Sequence, residues 1–95
     1  MQLRVNIVGA IEPLDRGERF EFPLIDFLEP LGGDILASGT HMLRGEIEGC
    51  DIVLEVPDED AFQQVFEILR TGRISTGSSV SRLTEAGDWV LIRQF

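Results

Sequence analysis

The chain has 95 residues, 43% of them hydrophobic and 26% charged, with a formal net charge of −9. That length makes one domain with a single thin core, and the composition is too apolar for a disordered chain. The acid excess repels phosphates and anionic lipid, so nucleic acid and membrane surfaces are poor partners, whereas a basic protein suits it and solubility alone would also explain it.

All eight basic residues are Arg, which reads as a trace of base composition and not of function. Residues 1–60 carry 14 of the 17 acids against four Arg, so the acidic field belongs to the N-terminal two-thirds. The lone Cys50 excludes an internal disulfide. No Arg-flanked apolar run opens the chain and none approaches membrane-spanning length, so no signal peptide, no membrane span and a cytoplasmic location are expected.

"LRVNIV" alternates Leu3, Val5 and Ile7 against Arg4 and Asn6, the period of a strand. Pro13 and Gly17 then predict a loop over "EPLDRGE". "FPLIDFLEPLGGD" predicts a short helix. Pro23 sits in its first turn, Leu24, Ile25, Phe27, Leu28 and Leu31 form its apolar stripe, and Gly32 and Gly33 end it.

"DILASGTHML" reads as a second strand, "RG" as a turn and "EIEGCDIVLEV" as a third strand. Cys50, Ile52, Leu54 and Val56 share one parity, with Asp51 and Glu55 on the other. Ile47 breaks that parity, and Gly49 can absorb the slip as a β-bulge. Asp58 is placed to cap a second helix whose stripe is Phe62, Val65, Phe66 and Leu69, with Gly72 as its stop. "SSVSRLT" and "WVLIRQF" close the chain as two strands around the turn "EAGD".

The order is β-α-β-β-α-β with an extra C-terminal strand. It predicts one α+β domain over residues 1–95: a ferredoxin-like split βαβ fold, with an antiparallel sheet and two helices on one face.

Five constellations bear on chemistry. His41, Glu46, Glu48, Cys50 and Asp51 crowd one hairpin, but one Cys and one His fall short of a zinc set, and neither C-x-x-C nor H-E-x-x-H occurs, so no metal or other cofactor is expected. A Cys50–His41 nucleophilic pair needs positive surroundings, and the sequence neighbours Glu48 and Asp51 work against a thiolate. "RTGRISTGSSVSR" offers Arg70, Arg73, Ser78 and Arg82 as an anion cradle, against the plainer reading of a polar connection. The acids of "VPDED" are accounted for by the positive end of the following helix. Last, the acidic loop with Glu18 and Glu21, joined to His41, Glu46, Glu48 and Asp51, makes a docking surface for a basic protein.

The segments "GERFEFPL", "SGTHMLRGEIEGCDI" and "GSSV", spanning roughly residues 17–83, resemble a loose group of small uncharacterised bacterial proteins. That group carries G-E-x-F-E-x-P-L, then G-G-T ahead of G-E-I-E-x-C-D-I, then G-S before the last strands. The resemblance implies a shared hairpin and brings no functional residues with it. In size, acidity and expected fold the chain is also similar to immunity proteins of bacterial toxin systems, a likeness of fold and charge alone.

The expected function is therefore a non-enzymatic protein-binding module, of the kind that inhibits a basic toxin or enzyme. The alternatives are a regulatory domain in which two copies pair sheet edges around a small ligand, and a small dimeric-barrel enzyme with His41 as base.

Overall fold

The computed structural model describes all 95 residues. Five strands, β1 (Gln2–Val8), β2 (Asp34–Leu43), β3 (Glu46–Glu55), β4 (Ser79–Leu83) and β5 (Trp89–Gln94), form one sheet in the order β2-β3-β1-β4-β5. Every neighbouring pair is antiparallel. The protein is thus α+β, with helical segments packed against one face of the sheet. No helix is long and apolar enough to cross a membrane.

Alternation decides which face is covered. Leu3, Val5 and Ile7 of β1 stand opposite Leu54, Ile52 and Cys50 of β3, and Val5 also stands opposite Val80 of β4. All seven are fully buried, joined from the helices by Phe20, Leu24, Leu28, Val65 and Leu69. Burying a side chain of this kind contributes about 1.5–3 kcal/mol, which is what holds so small a domain together. The opposite face of the sheet carries no helix.

The sequence-derived loop over residues 12–21 is helical instead. α1 (Pro13–Arg16) runs into a π-helical turn (Gly17–Glu21), then α2 (Phe22–Leu28) and a 3-10 turn (Glu29–Leu31). Pro13 is no obstacle, because in the first turn its missing N–H would have no partner anyway. Gly17 likewise keeps ordinary helical angles, φ −59° and ψ −52°. Pro30 lies in the first turn of the 3-10 segment, directly after the last α-helical bond of the arm, from the Glu29 N–H to the Ile25 carbonyl.

The β2–β3 hairpin turns through Arg44 and Gly45, both at positive φ (53° and 80°), as a two-residue reversal requires. Its ladder skips Glu48 between His41 opposite Gly49 and Met42 opposite Ile47, so β3 is bulged beside Gly49. The slip returns Ile47 to the helix side. A 3-10 turn, capped by Asp58 Oδ1 accepting the Asp60 N–H at 3.0 Å, leads into α3 (Phe62–Thr71). Gly72 ends α3 at a negative φ of −72°, and the left-handed residue is Arg73, at φ 62°. Gly72 is needed for another reason: a Cβ there would collide with the Arg19 carbonyl and the Phe20 ring.

Candidate functional site

The uncovered sheet face carries a polar row across four strands. The register sets Asn6 of β1 between Asp51 of β3 and Ser79 of β4, and Arg4 next to Ser81. His41 of β2 stands opposite Gly49, one step along the same face from Asp51, and its Nε2 lies 2.7 Å from Asp51 Oδ2. These residues line one shallow depression. At its β5 side the Arg4 guanidinium lies over the Trp89 ring, 4.7 Å from its centroid.

On the other face of the same hairpin sits a second, enclosed group. Arg16 Nε donates to Glu21 Oε1 and Arg16 Nη1 donates to Thr40 Oγ1, each at 3.0 Å. Arg16 is 8% exposed, and its charge acts on the buried Cys50 thiol. Burial pushes the Cys50 pKa up; the Arg16 charge opposes this, while Asp51 and Glu21 add to it, and the result stays above the ordinary 9.0. The thiol is held protonated and out of solvent, the reverse of what a nucleophile needs.

Cys50 and His41 therefore do not form a pair. Thr40 stands opposite Cys50 on the helix side, and His41 stands opposite Gly49 on the open side. No three side chains among His, Cys, Asp and Glu come close enough to share an ion.

Each of the four residues of the expected anion cradle has a partner of its own. Arg70 is ion-paired with Glu67 at 2.7 Å and Arg82 with Glu59 at 2.8 Å. Ser78 is fully buried, accepts the Val8 N–H at 3.0 Å and shares a hydrogen bond with Ser75. Arg73 uses its backbone carbonyl to accept from Arg19 Nη2 at 2.7 Å. These contacts tie residues 70–82 to their neighbours.

The six surface residues divide in the same way. Glu18, Glu46 and Glu48 are exposed, and His41 joins Asp51 on the open face. Glu21 departs from the expectation: it turns inward to Arg16, and its side chain is 16% exposed.

Arg16, Thr40 and the Arg4–Trp89 stack escaped the sequence reading. A signal for Arg16 existed. Arg16, Phe20, Leu24 and Leu28 recur at four-residue spacing, and all four are buried. An Arg at the head of that series, preceded by Pro13 and followed by Gly17, hid it. Comparison with protein-family models, with curated proteins and with solved structures gives no match for the chain.

Proposed function

We propose that the chain is a ferredoxin-like module that binds a basic protein through its open sheet face, in the manner of an immunity-type inhibitor of a toxin or enzyme. The fold reading rests on the strand order β2-β3-β1-β4 and on both helical arms covering one face, the pattern of the split βαβ motif, with β5 added at the edge.

The observation that carries the binding reading is Trp89, partly exposed on a face no helix covers, with Arg4 stacked on it at 4.7 Å. Trp and Arg are the residue types that most often dominate interface energies. The polar row beside them supplies hydrogen-bonding groups of both kinds. Glu18, Glu46 and Glu48, exposed and without an ion partner in the chain, together with the net charge of −9, steer a basic partner toward the molecule.

The test is affinity capture from the source cell, run in parallel with the wild type and the Arg4→Ala/Trp89→Ala variant. A basic protein held by the wild type, lost with the variant and released by salt supports the reading. Equal recovery by both, or a partner that is not basic, overturns it. Charge reversal at Glu18, Glu46 and Glu48 slows association with the captured partner and flattens its salt dependence. Glu21 is left in place because of its bond to Arg16.

A further inference from the structure

We propose that the groove between the helical arm and β2 docks a basic, amphipathic segment of a partner protein. Its apolar side chains enter the groove, and its Lys or Arg side chains pair with the acids around it. The groove lies on the helix side of the sheet, apart from the open face, and the inference does not rest on the binding reading given for that face.

The floor of the groove is apolar. Leu14 of α1, Phe22 and Ile25 of α2 and Ile35 of β2 line it, around about 600 Å³ of space. Gly17 lets the Phe22 ring lie along the arm as one wall, since a Cβ at Gly17 would stand 3.3 Å from the Phe22 Cζ. In the single chain Leu14 is 71% and Phe22 56% exposed. Lone exposed apolar residues are ordinary, but two large ones sharing a concave site with Ile25 and Ile35 mark a contact surface. Glu21 also lines the groove, but it is bonded to Arg16 at 3.0 Å, so the free charge on the lining is that of Asp34.

Charge selects the occupant. Asp34 is the first residue of β2, and Glu12 immediately precedes α1. Asp26 and Glu29 stand one helical turn beyond Phe22 and Ile25. All four acids are exposed, and none takes part in an ion pair of the chain. The only Arg residues between positions 5 and 43 are Arg16 and Arg19. Arg16 is held by Glu21 and Thr40, and Arg19 by Asp15 and the carbonyls of Gly72 and Arg73. Nothing within the chain therefore neutralises this rim. A second copy would bring the same acids against it, and anionic lipid is repelled in the same way. A segment whose apolar residues are flanked by Lys or Arg meets both the floor and the rim, the mode in which an amphipathic element lies in a hydrophobic groove.

Fluorescence anisotropy of a labelled amphipathic peptide of Leu and Lys, titrated with the full chain, tests this. One control peptide carries Glu in place of Lys, and another carries Ser in place of Leu. The Leu/Lys peptide binds at least about tenfold more tightly than either control. Leu14→Ser, at a position already open to solvent, weakens its binding about tenfold. Asp26→Lys with Asp34→Lys weakens it by about the same factor and flattens its salt dependence. Arg4→Ala/Trp89→Ala leaves it unchanged. Binding that the groove variants do not alter is loose attraction to the net charge of −9, and it overturns the proposal. Binding lost with the open-face variant instead moves the site to that face and overturns it too. So does a groove closed by a second copy, seen as a dimer in sedimentation equilibrium that Leu14→Ser dissociates.

Discussion

Arg16 Nε lies 3.0 Å from Glu21 Oε1, with the two side chains 10% and 16% exposed. Residues five apart in a regular α-helix point about 140° away from each other. The π-helical turn from Gly17 to Glu21, in which the Phe22 N–H donates to the Gly17 carbonyl, widens the turn and brings them to one side. Thr40 then anchors this pair to β2. The helical arm is thus fastened to the edge hairpin by a charged group where an apolar contact would be usual.

Removing one partner leaves the other charge enclosed and unpaired, a costly arrangement. Arg16→Met is therefore expected to destabilise the protein by about 2–4 kcal/mol in urea unfolding. Arg16→Met with Glu21→Leu is expected to cost less than Arg16→Met alone, because both charges leave together. A double variant at least as unstable as the single one would show that the pair is not the origin of the loss.

The Cys50 thiol has a definite pH signature. Its pKa in the folded protein is raised above 9.0 by burial. A group with a raised folded pKa contributes its full stability below the unfolded pKa and loses it as pH rises through the folded value. Above about pH 9 the unfolded chain ionises its thiol more readily than the folded one, so stability falls there. The chain has no Lys and no Tyr, which leaves few other groups to titrate in that range. Urea midpoints measured from neutral to alkaline pH should decline, and the decline should be smaller in Cys50→Ala. Thiol labelling of the native protein should proceed only at the rate of unfolding. Rapid labelling would place Cys50 outside the core.

Those two residues also mark what could be read from the sequence. Cys50 faces the core as its parity with Ile52 and Leu54 required, and β2 spans residues 34–43 with its turn at Arg44 and Gly45, as alternation predicted. Alternation works here because one face is covered and the other is not. Arg16 was harder to read, since its four-residue spacing to Phe20, Leu24 and Leu28 was masked. A π turn resets the helical period, and Pro13 and Gly17 look like breakers although neither breaks the arm. Nor does alternation say which Arg will find an acid. Arg70 and Arg82 are taken by Glu67 and Glu59, and the latter pair spans 23 residues of sequence.

Two glycines of the same hairpin should answer substitution in opposite ways. A Cβ at Gly49 would stand 2.7 Å from the Ile7 carbonyl oxygen, where β1 and β3 meet at the bulge. Backbone lies on both sides of that contact, so Gly49→Ala should cost about 1–3 kcal/mol. Gly39 has nothing within 4 Å of a Cβ and no positive φ. Gly39→Ala should leave stability within about 0.5 kcal/mol of the wild type, or raise it slightly through the unfolded chain. Thermal unfolding of both variants checks the contrast, and equal losses would contradict the register given by the ladder.

The open face should tolerate change without loss of fold. The His41 side chain is 53% exposed and its Asp51 partner 28% exposed, so water competes for the pair and His41→Ala should cost under about 1 kcal/mol. Arg4→Ala should cost about 0.5–1 kcal/mol, the usual worth of an exposed cation–π contact. Its optical effect should be larger than its energetic one. Trp89 is the only Trp and the chain has no Tyr, so intrinsic fluorescence reports that ring alone. Removing the guanidinium 4.7 Å above it should raise the acrylamide quenching constant of the folded protein. An unchanged constant would mean that Arg4 does not cover Trp89 in solution. The face would then offer a bare Trp, and Trp89→Ala alone would be the variant to set against a captured partner.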